Sequence, residues 1–371
     1  MERSLSELLE LYDADAPLEK AYTIPAPWYL DARVEQAERE RVFGHNWIAV
    51  GRADQVAAEG QFFTVEIGGE PIVVVRGSDG LLRAFYNVCR HHAAAVANVP
   101  SGTVQHLRCP YHGWTYGLDG SLKGAPEFAG VCNFDRGANG LVQVRVSTWE
   151  QFVFVALDEN APALEESFGN LRQTVAALAI SQLHFFARKR YTLACNWKVY
   201  VDNYLDGGYH VPHLHKGLNS VLDYKEYTIE NSDRYSLQSS PMVNSQEHAE
   251  FAAARTGNRA YYYWLYPNFM INIYQGVMDT NLVLPLGTDR CLVQFDFFFA
   301  DVSEAARAGN TESVAVSDRI QDEDVDICES VQRGLRSRAY GAGRLSVRRE
   351  SAEHLFHRLL ARDLRKEVRG S

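Results

Sequence analysis

Cys89-Arg90-His91 and Cys109-Pro110-Tyr111-His112-Gly113-Trp114 decide how the first half of this chain is read. Each stretch offers one thiol and one imidazole, and 17 residues separate His91 from Cys109. Thiolates with imidazoles suit zinc or an iron–sulfur cluster. A zinc finger usually groups its cysteines in one knuckle and its histidines in another. One of each per loop suits instead a two-iron cluster, with both cysteines on one iron and both histidines on the other. Pro110 and Gly113 allow the second loop a tight turn. His92 and His106 are read as non-ligands. Cys132, Cys195, Cys291 and Cys328 have no paired ligand nearby in sequence and are read as core residues.

Around these loops, from about residue 47 to 157, short β-branched and aromatic runs such as 62–65 and 71–75 are broken by Gly-Gly, Ser-Asp-Gly and Leu-Asp-Gly turns. That is the pattern of a small all-β domain. Before it, 4–12 and 31–43 have helical spacing; after it, 158–162 reads as a linker and 163–178 as a helix. Strands are expected over 261–273, 280–285 and 290–299, and a long helix over 313–338. The expected fold is α+β. A helical lead-in over 1–43 packs with the catalytic domain, an all-β cluster domain spans 44–160, and a mixed antiparallel-sheet-plus-helix catalytic domain spans 161–371.

The 371 residues are 46% hydrophobic and 23% charged, the balance of a folded globular protein with room for two domains. A net charge of −10 argues against a nucleic-acid partner, since phosphate binding needs a surplus of Lys and Arg. The acidic start has no apolar export signal, and no stretch is apolar enough to span a membrane. Six cysteines without such a signal point to a reducing, cytoplasmic setting.

A second concentration of ligands lies in Asn196 to His215, where Asp202, Asn203, Asp206, His210, His213 and His215 fall within 20 residues. A non-haem Fe(II) that activates O₂ needs two imidazoles and one carboxylate on one face. Three histidines compete for two places, and spacing does not choose among them because Pro212 interrupts any regular helix. The acidic run around Glu323 and Asp324, read alone, is the solvated face of a helix.

The Cys89-x-His91 and Cys109-x-x-His112-Gly-Trp motifs resemble those of the Rieske ring-hydroxylating oxygenase large (alpha) subunits. The order of a β-rich domain and then a mixed one extends the likeness over nearly the whole chain. The resemblance implies a [2Fe-2S] Rieske cluster on Cys89, His91, Cys109 and His112. It also implies a mononuclear Fe(II) on His210, His215 and Asp324, because the family's E/D-N-x₅-Y-H-x₄-H segment falls on Asp202 to His215. In that family a carboxylate carries electrons from a cluster histidine of one subunit to an iron histidine of its neighbour. The usual position for it, three residues before the first histidine, holds Gly207 here, which leaves Asp206 as the nearest candidate and Asp202 as the next. Asn203 matches a residue beside the open face of the iron.

Longer stretches, among them Asp202 to Pro212, Tyr266 to Asn272 and Glu329 to Ser337, resemble choline monooxygenase and its bacterial relatives. The expected reaction is hydroxylation of a small quaternary ammonium compound by O₂ and two electrons, with choline converted to betaine aldehyde hydrate. An aromatic ring, glycine betaine or carnitine is the alternative substrate. Such a cation is held by aromatic faces, for which Tyr263, Trp264, Tyr266, Phe269 and Tyr274 are candidates, although aromatics at strand spacing also build cores. No dinucleotide fingerprint is visible, so electrons come from a ferredoxin or an NAD(P)H-dependent reductase, with Arg90 and Arg108 as candidate docking residues. The likeness implies a homotrimer. A pure electron carrier would hold two irons per chain, and an oxygenase three.

Overall fold

The computed structural model describes residues 3–243 and 249–366, which form two compact units. One comprises Glu38–Leu164, and the other joins Met1–Ala37 to Glu165–Ser371. The chain thus passes between units at 37/38 and 164/165, where sequence reading placed its boundaries at 43/44 and 160/161.

The unit Glu38–Leu164 is built on β1 (Ile48–Arg52), β2 (Gln61–Ile67), β3 (Glu70–Arg76), β4 (Leu82–Tyr86), β5 (Ser101–Thr103), β6 (Leu107–Arg108), β7 (Thr115–Tyr116), β8 (Leu122–Gly124), β9 (Gln143–Trp149) and β10 (Phe152–Ala156). Seven strands pair in the order β1-β10-β9-β4-β3-β2-β5, and β6-β7-β8 form a second, smaller sheet. Every pairing is antiparallel, with Phe62 opposite Val75 and Val74 opposite Ala84. Phe62, Val73, Val75 and Phe85 supply a core that continues into Cys89, Cys109, Trp114 and Tyr116. The segment expected as one helix over 31–43 is α-helical over Ala32–Ala37 and π-helical over Glu38–Phe43, and the unit boundary falls between the two.

The other unit carries a seven-stranded antiparallel sheet of β11 (His184–Leu193), β12 (Thr228–Asn231), β13 (Tyr235–Pro241), β14 (Arg259–Leu265), β15 (Phe269–Tyr274), β16 (Val277–Gly287) and β17 (Arg290–Phe299), in the order β11-β17-β16-β15-β14-β13-β12. The single strand expected over 261–273 is the hairpin β14–β15, because the chain reverses at Tyr266-Pro267-Asn268 and Pro267 has no N–H for a ladder. The helix expected over 163–178 is two short ones, Leu164–Ser167 and Leu171–Ala176, parted by Gly169 at φ +56°. The helices that matter for the site are α1 (Trp197–Leu205), α2 (Val211–Leu214), α3 (Ala249–Ala254), α4 (Arg307–Leu335) and α5 (Ser351–Leu364). Among the described residues no helix is long and apolar enough to cross a membrane.

Candidate metal centres and their cavity

Two loops of the unit Glu38–Leu164 repeat one backbone design. Cys89 N–H donates to Ala94 O at 2.8 Å and Ala93 N–H to Cys89 O at 3.0 Å; Cys109 N–H donates to Trp114 O at 2.8 Å and Gly113 N–H to Cys109 O at 3.1 Å. Each loop therefore closes over five residues, and its fifth residue is left-handed: Ala93 at φ 61° and Gly113 at φ 74°. This brings the side chains after each cysteine together. The His91 and His112 rings lie 4.7 Å apart, and His91 stacks on Trp114 at 4.9 Å and 2°. Both thiols are buried, and Tyr116 Oη lies 3.3 Å from Cys89 Sγ while accepting Arg90 N–H at 3.0 Å. His91 Nδ1 is a buried nitrogen without a partner among the described residues.

His92, set aside in the sequence reading, occupies the loop position equivalent to His112. Its donor atoms join those of His91 and His112 within 4.8 Å. The assumption of core packing fails for Cys132, which is exposed on the long loop between β8 and β9; Cys195, Cys291 and Cys328 are buried.

In the other unit, Asn196 caps α1 by accepting Lys198 N–H at 3.1 Å. The helix ends at Gly207 and Gly208, both left-handed at φ 69° and 68°. A Cβ on Gly207 would lie 2.1 Å from Arg349 O, so the turn requires glycine on both counts. Asp206 then reaches forward to accept Tyr209 N–H at 3.1 Å, His210 N–H at 2.9 Å and His210 Nδ1–H at 2.6 Å. Pro212, expected to interrupt any regular helix, sits in the first turn of the short α2, where its missing N–H is not needed. His210 and His215 therefore flank one short helix, their rings edge to face at 4.8 Å, while His213 points to solvent.

The α4 helix brings Asp324 to this pair. Its Oδ1 lies 3.1 Å from His215 Nε2 and 4.0 Å from His210 Nε2. It also accepts Asn203 Nδ2–H at 2.7 Å. The neighbouring Glu323 holds His215 Nδ1 at 2.6 Å. Both imidazoles are thus pinned at Nδ1 by a carboxylate and turn Nε2 toward Asp324, the arrangement that orients a metal-bound histidine. Burial works against the His215 imidazolium, but Asp324 and Glu323 outweigh it and raise the group's pKa. Sequence reading gave Glu323 no role, since an acid beside another acid on a helix carries no signal of its own. Asp202 lies elsewhere: it accepts from Tyr29 Oη at 2.6 Å and pairs with His357 Nε2 at 3.0 Å.

A cavity of about 110 Å³ opens onto His210, His215 and Asp324. Its walls include Tyr204, Tyr227, Tyr262 and Tyr274, with Arg255 and Asp279. Of the five aromatics chosen from sequence only Tyr274 lines it. Tyr263 and Phe269 alternate to the opposite side of their strands from Tyr262 and Tyr274, Trp264 packs on Phe356 at 5.5 Å, and Tyr266 lies under Arg234 at 4.9 Å. Tyr204, one turn after Tyr200 on α1, was within reach of helical spacing. Asp279 is buried, and burial raises its carboxyl above the usual range despite the nearby Arg255 charge.

Two family descriptions match the chain: the Rieske [2Fe-2S] domain over residues 46–135 and the ring hydroxylating alpha subunit (catalytic domain) over 180–366. Choline monooxygenase of Arabidopsis thaliana chloroplasts is 42% identical, over 97% of this chain and 87% of its own length. The carnitine monooxygenase oxygenase subunit of Escherichia coli K12 is 33% identical, over 92% of this chain and 94% of its own. A crystal structure of the quaternary ammonium Rieske monooxygenase CntA superposes with a TM-score of 0.86 at 30% identity, covering 95% of this chain and 99% of that one. Naphthalene 1,2-dioxygenase of Rhodococcus, at 21% identity and a TM-score of 0.78, shares the fold. Two buried thiols beside two imidazoles, and two imidazoles converging on one carboxylate, fit the two iron groups this family carries. The chain belongs to the Rieske oxygenase alpha subunits and is an iron-dependent monooxygenase, with a [2Fe-2S] cluster and a mononuclear iron as its cofactors and electrons supplied by a reductase or ferredoxin.

Proposed function

We propose that this oxygenase hydroxylates a small quaternary ammonium compound. The observation that carries the reading is a cavity walled by five tyrosines and the buried Asp279, opening onto the His210–His215–Asp324 group. Tyrosine faces and a carboxylate attract a quaternary ammonium group, which has no N–H to donate. The names of the two relatives, choline monooxygenase and carnitine monooxygenase, support the same class.

Cys89, His91, Cys109 and His112 would hold the cluster, with His91 preferred over His92 for its buried, unpartnered Nδ1. His210, His215 and Asp324 would hold the iron. When bound, these groups supply electrons and a site where O₂ is activated. For a primary alcohol the balance is R–CH₂OH + O₂ + 2e⁻ + 2H⁺ → R–CH(OH)₂ + H₂O. The protein's share is to hold the ammonium group against the tyrosine wall, fix the imidazoles through Asp206 and Glu323, and keep bulk water from the reacting carbon. Asp206, hydrogen-bonded to His210, is the better-placed candidate for the electron bridge; Asp202, tied to Tyr29 and His357, is not. A head-to-tail ring is the assembly that such a bridge between subunits calls for, a homotrimer by family likeness; Arg90 and Arg108 are the docking candidates for the electron donor, and the four cysteines outside the cluster, none in a disulfide, suit the cytoplasm.

The test is aerobic incubation of iron-loaded protein with an electron donor and a panel of choline, glycine betaine, carnitine and simple aromatics, read by mass spectrometry. Oxygen incorporation into a quaternary amine is the expected result, and oxidation of the aromatics alone would overturn the reading.

A further inference from the structure

The cavity wall carries a positive charge as well as a negative one. Arg255 follows α3 and is only 3% exposed, yet it lines the same cavity as Asp279. Among the described residues its hydrogen-bond partners are all uncharged. Nη1 donates to Ala254 O at 3.1 Å and to Ser313 Oγ at 2.8 Å, Nη2 donates to Ser317 Oγ, and the guanidinium lies over the Tyr274 ring at 4.9 Å. Nε–H has no partner among these residues. Asp279, the acid of the same wall, takes its hydrogen bond from Asn272 Nδ2 at 2.7 Å rather than from Arg255. Each charge is therefore held in place by neutral groups and faces the cavity without a contacting counter-ion.

A buried guanidinium is costly unless an anion pairs with it. Choline, a bare cation, would add a second positive charge to this cavity and leave Arg255 as it is. A molecule with an ammonium group at one end and a carboxylate at the other would satisfy both walls at once, its methyl groups against Tyr204, Tyr227 and Tyr262 and its carboxylate toward the Arg255–Ser317 corner. We propose that Arg255 is a carboxylate-recognition residue, and that the substrate is a zwitterionic trimethylammonium carboxylate of the glycine betaine or carnitine type rather than choline. This deepens the quaternary ammonium reading and rests on it.

The test compares equilibrium binding by calorimetry, and turnover, of glycine betaine, carnitine and choline by the iron-loaded wild-type protein and by Arg255→Met and Arg255→Lys. A carboxylate paired with a buried guanidinium sets an expected preference of about 30-fold for the betaines in the wild type. Arg255→Met removes most of that preference, and Arg255→Lys, which keeps the charge but not the fork, retains part of it. The cluster's visible spectrum reports folding, and the wild-type preference stands as a test even where a variant fails to fold. Equal or tighter binding of choline by the wild type, or an unchanged preference in Arg255→Met, overturns the role of Arg255 while leaving the quaternary ammonium reading intact. Failure of all three compounds to bind overturns both.

Discussion

The two metal centres are built in opposite ways. In the cluster region all the candidate ligands sit on two short loops that share one backbone plan, each closed by the same pair of hydrogen bonds around its cysteine. In the iron region the candidate ligands come from the two ends of α2 and from α4, more than a hundred residues later, and each histidine needs a carboxylate behind it. The first design is local and set by loop geometry. The second is assembled by tertiary packing and tuned by charge, so the two should fail differently when single residues are changed.

The largest separation between them is expected from removing a candidate ligand. His210→Ala should bring oxygenation to background while the visible spectrum of the cluster persists, whereas Cys109→Ala should abolish that spectrum. Normal turnover by the His210 variant would refute the iron assignment. A smaller effect is expected from Glu323→Gln, which leaves every proposed ligand in place but weakens the hold on His215 Nδ1. Iron affinity should drop by about 10–100-fold in a chelator competition, with the cluster spectrum unchanged. Undiminished affinity would mean that the carboxylate is a bystander on the protein surface. The smallest effect tests the equivalence of the two cluster loops. Ala93 occupies a left-handed conformation that costs an alanine about 1–2 kcal/mol. Ala93→Gly relieves that strain but loosens the unfolded chain, for a net gain of about 0.5 kcal/mol. Gly113→Ala should destabilise by more than this, since the added Cβ would also lie 3.3 Å from Arg108 Nη2. Chemical unfolding followed by the cluster's absorbance measures both, and changes of the same sign would show that the loops are not equivalent.

This contrast also explains how much could be read in advance. The cluster loops were legible because their ligands lie two and three residues from their cysteines, and the all-β setting announced itself through its turns. The iron histidines were only partly legible: spacing left His210, His213 and His215 level, and the choice depended on family likeness. What separates them is that Pro212 starts a single helical turn, which leaves His210 and His215 on one side and His213 in solvent. Asp324 looked like part of a solvated acidic face because charge patterning does not reveal that Ser317, Gln321 and Cys328 bury the adjoining stripe of α4. The aromatic run around Tyr263 was seen as a candidate cage. Strand parity turns Tyr263 and Phe269 away from the cavity, the reversal at Pro267 takes Tyr266 out of the strand, and Trp264, on the Tyr262 side but farther along, packs on Phe356 instead.

Glu323 and Asp324 are consecutive residues of one helix, and they grip the same imidazole at its two nitrogens. Deleting a single residue from the preceding turns of α4 would swing this acidic pair through about 100° around the helix axis, taking both carboxylates from His215 in one stroke. Length changes in that stretch should therefore be far less tolerable than substitutions, even at positions whose side chains touch nothing in the centre.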